Sequence, residues 1–241
     1  MPKKIIEIDG IGPVVAIKRR GSTTIRLSYA RDGSLRVSLP YWLPYKAATE
    51  FVRTKRAWIE SNRPARETIL QNGDKIGKAH HLIFIANPDT KLTAVRLKGL
   101  QIIVSFPYAL AVDNEAVQKA AERGVLRALK KEADSLLPQR LAVLAKQHGY
   151  SYESVKTKRL LSRWGSCNHN KAITLNIYLM QLPWHLIDYV LLHELAHTKQ
   201  LDHSSQFWKQ FEQTLPNAKK IRKELKQYKT IPMTTLRTSL A

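Results

Sequence analysis

The segment Leu191-Leu192-His193-Glu194-Leu195-Ala196-His197 leaves the backbone little choice. Val190, Leu191, Leu192, Leu195 and Ala196 surround its polar residues, which reads as an apolar helix carrying a buried or half-buried polar triplet. On a helix, residues four apart share one face, one turn above the other. His193 and His197 can therefore offer two imidazoles to one metal ion. Glu194 lies about 100° round from His193, beside such a metal rather than on it, where it can take a proton from metal-bound water. The bland alternative is a helix with two surface histidines. Burying unpartnered polar groups is costly, so the apolar surroundings argue against it.

A catalytic zinc keeps three protein ligands and leaves the fourth position open. His203 is the candidate for the third. On a continued helix it would point about 280° round from His193, so it reaches the metal only if the chain turns after Thr198. Gln200-Leu201-Asp202-His203-Ser204 supplies turn and cap residues for that. The expected site is one zinc per chain on His193, His197 and His203, with Glu194 as the base. His80 and His81 read as ordinary histidines beside a strand, and His148 as a helix-end residue that suits the dipole. His185, eight residues before His193, is too far along the axis to share its metal. His169 lies in a turn that could approach the cleft.

The chain has 241 residues, 44% of them apolar, enough for a substantial core in one or two domains. Its single cysteine, Cys167, excludes an intrachain disulfide and fits a reducing compartment. No signal peptide and no stretch of about 20 apolar residues is visible, so a cytoplasmic location is expected. Forty Lys and Arg against nineteen Asp and Glu give a net charge of +21. The clusters Lys18-Arg19-Arg20, Arg53-Lys55-Arg56, Lys130-Lys131 and Lys219-Lys220-Arg222-Lys223 could hold nucleic acid without sequence preference, or simply keep the protein soluble. The last cluster follows the third ligand and is the one expected to flank the cleft.

The front of the chain reads as strands: Val14–Lys18, Thr24–Tyr29 and Leu35–Leu39, with the Asp32-Gly33 step as a hairpin turn. A helix is expected over Ala47–Ile59, then short strands over His81–Ala86, Lys91–Leu97 and Gln101–Phe106. Helical spacing then runs from Val117 to Leu137, with Gly124 as a blemish. Pro138 should break it, and a separate helix should run from Leu141 to Gln147. Two strands, Lys156–Trp164 and Ala172–Leu179, are expected around the turn Ser166–Asn170. Pro183 suits the first turn of a helix reaching about Thr198. Ser204 or Ser205 can cap a helix over Gln206–Leu215, and Pro216 opens a last basic helix ending near Tyr228. The fold class is α+β. The expected division is a β-rich domain over 1–110, a catalytic domain over 111–228, and a loose tail over 229–241.

Arg163-Trp164-Gly165-Ser166-Cys167, Ile173-Thr174-Leu175-Asn176, the H-E-L-A-H segment and His203-Ser204-Ser205-Gln206-Phe207-Trp208 together resemble the YgjP-like family of metal-dependent hydrolases. The hairpin over Thr24–Pro40 and the helix after it also resemble that family's N-terminal part, so the likeness runs over roughly residues 13 to 228. The resemblance implies a zincin-type α+β domain, with His193, His197 and His203 as ligands and Glu194 as base. The His spacing equals that of metzincins. Gln200, however, stands where their glycine permits a left-handed backbone, and no Met-turn follows.

A zinc-dependent peptidase is therefore the leading expectation, with peptide or protein as substrate. Ala172–Leu179 stands where an edge strand would pair with an extended substrate. Arg163, Ser166 and Asn176 are candidate substrate-binding residues, against a reading in which Trp164 and Gly165 are structural. The alternative is a metal-dependent phosphohydrolase acting on nucleotides, favoured by the charge but lacking a phosphate loop or a carboxylate cluster for magnesium. A nucleic-acid-binding protein with structural zinc is disfavoured, because such a site needs four ligands and only Cys167 could add a thiolate.

Overall fold

The computed structural model describes residues 2–30, 33–62 and 69–228. They fall into two compact units, 1–67 and 68–241, and the architecture is mixed α and β. The expected boundary near Leu110 lies inside the second unit, because the sheet before it packs on the long helix after it. The expected loose tail lies outside the described residues.

In the first unit, β1 (Lys3–Ile8), β2 (Gly12–Arg19), β3 (Arg26–Tyr29) and β4 (Leu35–Pro40) form a sheet in the order β1-β2-β4-β3. β3 and β4 are the antiparallel pair expected from the sequence, and β2 runs parallel to β4. β1 was not foreseen. It is mostly exposed, so it carries no buried alternation to read. The helical stretch is two pieces, α1 (Tyr45–Thr54) and α2 (Arg56–Asn62), interrupted at Lys55. Val14, Ala16, Val37, Leu39, Ala48 and Val52 make this unit's core.

The second unit is built round α3 (Glu115–His148), preceded by β5 (Lys75–Ile76), β6 (His80–Asn87), β7 (Ala94–Lys98) and β8 (Gln101–Pro107). These strands form a sheet in the order β5-β6-β8-β7, with β6 parallel to β8. Helix α3 packs on β8 and β7. Gly124 is where it comes closest: a Cβ there would stand 2.5 Å from Ile102 Cγ2 and 2.6 Å from Val95 Cγ2. The glycine that looked like a helix defect is a condition of the packing.

Pro138 does not break α3. The helix runs through it, capped by the Asn114 side chain at one end and by Gly149 in the left-handed region at the other. A mid-helix proline costs about 3 kcal/mol. Ala133, Leu137, Leu141 and Leu144 form a buried stripe across the site, and each large apolar side chain so buried contributes about 1.5–3 kcal/mol. Continuous burial outweighs one missing N–H.

After α3, the two expected strands are three: β9 (Ser154–Lys158), β10 (Gly165–Cys167) and β11 (Ala172–Asn176), in the order β10-β11-β9. β9 and β11 are parallel and β10 is antiparallel to β11. Residues 159–164 bulge away from the sheet because the buried Asn176 side chain holds them. Its Nδ2 donates to the carbonyls of Leu160 and Arg163, both at 2.8 Å. Ile177–Gln181 continues as a 3-10 turn, not as strand, with the Asn176 side chain accepting from Tyr178 N. Then come α4 (Trp184–Ala196), α5 (Ser205–Thr214) and α6 (Ala218–Leu225). Pro183 stands one residue before α4, as its N-cap. One continuous core runs from Leu70 to Leu225.

Candidate metal centre and active site

Helix α4 is mostly apolar and buried: Leu186, Ile187, Tyr189, Val190, Leu191, Leu192 and Leu195 are all buried. A helix of that kind belongs in a core, and it fixes His193 and Glu194 on a rigid backbone. His197 is its C-cap residue. There the chain turns, as the position of His203 requires. Thr198, Lys199 and Gln200 donate their N–H groups back to the carbonyls of Leu195, Ala196 and Ala196. Asp202 Oδ1 accepts from Ser204 N at 3.1 Å and from Gln200 Nε2 at 2.9 Å. Ser204 caps α5 by accepting from Phe207 N. Gln200 achieves this without a left-handed backbone, since Lys171 alone among the described non-glycine residues has positive φ. The missing glycine is no obstacle to the turn.

The turn brings three rings together. His193 Nε2 lies 3.2 Å from His197 Nε2 and 3.0 Å from His203 Nε2. Tetrahedral zinc with bonds of about 2.0–2.1 Å sets its ligand nitrogens about 3.3 Å apart, close to these separations. His197 Nδ1 faces the Gln200 carbonyl at 3.0 Å, so as donor it leaves the Nε2 lone pair for a metal. Aromatic rings wall the cluster: Tyr189 stacks on His193, Phe207 on His197 and Trp208 on His203. Burial, with the nearby charges of His197, His203 and Arg222, pushes the His193 pKa down to about 3. Burial lowers that of His197 as well. Both are held as the neutral imidazole a cation needs. The donor set fits a divalent metal with a preference for nitrogen.

Glu194 is 5% exposed. Burial raises its pKa to about 8, against the opposing charge of Arg163. Such a carboxyl ionises readily only beside a cation, and the three imidazoles offer a place for one. Gly165 on β10 lies flat against it. A Cβ at Gly165 would stand 2.7 Å from Glu194 Oε1, 2.8 Å from Cγ and 2.9 Å from Cδ. Gly165, which the sequence alone reads as structural, thus lies in the lining of the candidate site.

His193, His203 and Glu194 open on a cavity of about 350 Å³, lined also by Arg163, Trp164, Tyr189, Trp208, Arg222 and Lys226. Of the candidate substrate-binding residues, Arg163 is in the lining and Ser166 and Asn176 are not. Asn176 is fully buried and spends its amide on the 159–164 loop. The stretch expected to offer a free edge, Ala172–Leu179, is strand only over Ala172–Asn176 and is paired on both sides there, which leaves β10 as the edge on the Glu194 side. His169 is exposed and outside the lining, and His185 Nε2 lies 2.9 Å from Glu224 Oε1. His80 proves to be buried, its Nδ1 2.6 Å from Glu132 Oε1. Cys167 is half-buried on β10. Burial first, then the Glu194 charge, pushes its thiol pKa up.

A family model for the YgjP-like metallopeptidase domain matches residues 23–228. The chain belongs to this family. It is accordingly a metal-dependent hydrolase, and membership in a metallopeptidase family suggests a peptide or protein substrate. Two solved structures are similar over part of the chain. One is the metallopeptidase zymogen abylysin of Pyrococcus abyssi, 27% identical, covering 38% of this chain and 94% of that one, with a TM-score of 0.35. The other is the metallopeptidase zymogen jannalysin of Methanocaldococcus jannaschii, 18% identical over the same shares, with a TM-score of 0.34. A search of curated sequences gave no match. Among the described residues, no helix is long and apolar enough to cross a membrane.

Proposed function

We propose that this YgjP-like chain is a zinc-dependent peptidase, with one zinc per chain held by His193, His197 and His203 and with Glu194 as general base. The observation that carries this reading is the convergence of three Nε2 atoms beside a buried carboxyl. When bound, zinc supplies a Lewis acid that polarises the scissile carbonyl and makes water a nucleophile near neutral pH. Glu194 takes the proton from the attacking water and passes it to the leaving amine. Gly165 allows β10 to lie against that carboxylate, and the β10 edge can align an extended backbone beside it. Tyr189, Phe207 and Trp208 stack on the three rings and hold them in place.

The test is metal analysis together with peptide cleavage. The purified protein should hold close to one zinc, and a chelator should stop cleavage. His193→Ala and His197→Ala should lose the metal. Glu194→Gln should keep it and lose turnover by about 10²-fold or more. Stoichiometric zinc in both histidine variants, or full turnover in Glu194→Gln, ends the assignment.

A further inference from the structure

The lining of the cavity beside Glu194 carries an excess of positive charge. Arg163, Arg222 and Lys226 all border it, and Glu194 is the single acidic residue in the lining. The neighbouring acids are engaged elsewhere: Glu224 with His185 at 2.9 Å, Glu212 with Lys219 at 2.9 Å, Asp188 with Arg140 at 2.6 Å. None of the three lining cations is in an ion pair with a carboxylate among the described residues.

Their placement is specific. Arg222 on α6 and Lys226, four residues on and still in helical backbone, share one helix face. Like charges at that spacing repel, by about 0.2–0.5 kcal/mol. The Arg222 guanidinium lies 4.5 Å above the Trp208 ring, which also stacks on His203. That contact fixes Arg222 at the rim of the metal cluster, and its charge is felt at His193 and Tyr189. Arg163 approaches from the opposite element, the loop before β10. A favourable helix dipole accounts for a basic residue at the end of α6, but not for cations from two separate segments facing one cavity.

We propose that this cavity selects peptides that set a carboxylate against Arg222 and Lys226, with Arg163 adding to the positive field near the scissile bond. The carboxylate belongs either to an Asp or Glu side chain or to the chain terminus. This rests on the peptidase reading above. An arginine with a planar fork and a lysine four residues on suit one carboxylate approached from two sides, and about 350 Å³ accommodates one such residue with its flanking backbone.

The experiment compares zinc-loaded protein on sets of peptides identical except for Glu, Gln or Lys at one scanned position. Each is made with a free and with an amidated C-terminus, and cleavage is read by mass spectrometry. Some position, or the free terminus, should favour the carboxylate over its amide by about 10- to 100-fold in kcat/KM. The free and amidated arms separate terminus from side chain. The double variant Arg222→Glu, Lys226→Glu should invert the preference toward Lys. If that variant misfolds, Lys226→Gln should still lower the Glu-to-Gln ratio severalfold. As a readout independent of turnover, calorimetry on Glu194→Gln should show the same ranking of affinities, weakening from 50 to 200 mM salt. Equal cleavage of Glu, Gln and Lys peptides, free or amidated, overturns the proposal while leaving the peptidase reading intact. Hydrolysis of nucleoside triphosphates with no cleavage of any peptide overturns both.

Discussion

Gly165→Ala puts the smallest possible group against the candidate base. Its Cβ would be built 2.7–2.9 Å from three atoms of Glu194. Carbon–carbon contacts are comfortable at about 3.5–4.0 Å, so strand and carboxylate must part by about 0.7 Å. Gly165 is not in the left-handed region, so alanine brings no backbone strain and the effect is steric alone. Overpacking of this kind costs about 1–3 kcal/mol. If the strand yields, that appears as a lower Tm. If Glu194 yields, it appears as lost turnover, because a displacement of about 1 Å in a catalytic group can cost on the order of 10²-fold. Glu194 sits between a rigid helix and the strand, so we expect kcat to fall by about 10- to 100-fold, with zinc content unchanged because the ligands are not touched. The assay is kcat per bound zinc, with Tm measured alongside. Gly124→Ala is the control. Its Cβ would be as tightly placed, against Ile102 and Val95, but far from the chemistry along α3, so it should lower Tm and leave kcat per zinc alone. If Gly165→Ala keeps kcat within about twofold and Tm unchanged, the close approach of β10 does not position Glu194.

Two further outcomes are expected. In the metal-free protein burial lifts the Glu194 pKa from an ordinary 4.5 to about 8, so the folded state holds the extra proton between those limits and stability falls as pH rises through them. The stability of chelated Glu194→Gln relative to chelated wild type should therefore grow from pH 5 to pH 8 in denaturant titrations, and a flat or opposite trend would refute the burial argument. Glu132 accepts from the backbone N–H groups of Lys78, Ala79 and His80 and from His80 Nδ1. Glu132→Ala should cost about 3–5 kcal/mol by leaving these donors unpaired, and a Tm within a degree of wild type would show that water replaces them freely.

The three-histidine cluster was legible because its geometry is local. A spacing of four on an apolar helix, followed by Asp202 and Ser204, specifies most of the candidate site within the twelve residues from His193 to Ser204. What escaped the sequence depends on partners far along the chain. Pro138 breaks a helix on propensity, but Leu137 and Leu141 are anchored in a core that no local window displays. Asn176 stood near the motif and looked like a substrate contact, yet its amide is consumed by a loop thirteen to sixteen residues upstream. The free strand edge was assigned one strand too far, because nothing local tells that β11 is paired on both sides. Arg222 was visible only as part of a basic cluster, and the Trp208 face beneath it marks it out.

The undivided core of the second unit couples distant parts of the chain thermodynamically. Ile102 and Val104 on β8 share one apolar cluster with Leu191 and Leu195 on the histidine-bearing helix. A ligand that binds only the folded state raises the free energy of global opening everywhere in such a unit, by about 2.7 kcal/mol at a concentration of 100 Kd. Amides of β8 that open only with the whole unit would then exchange about 100-fold more slowly once His193 holds a cation, although no atom of that strand touches it. Ambient metal would thus set how long the folded unit survives proteases, quite apart from whether it turns over substrate.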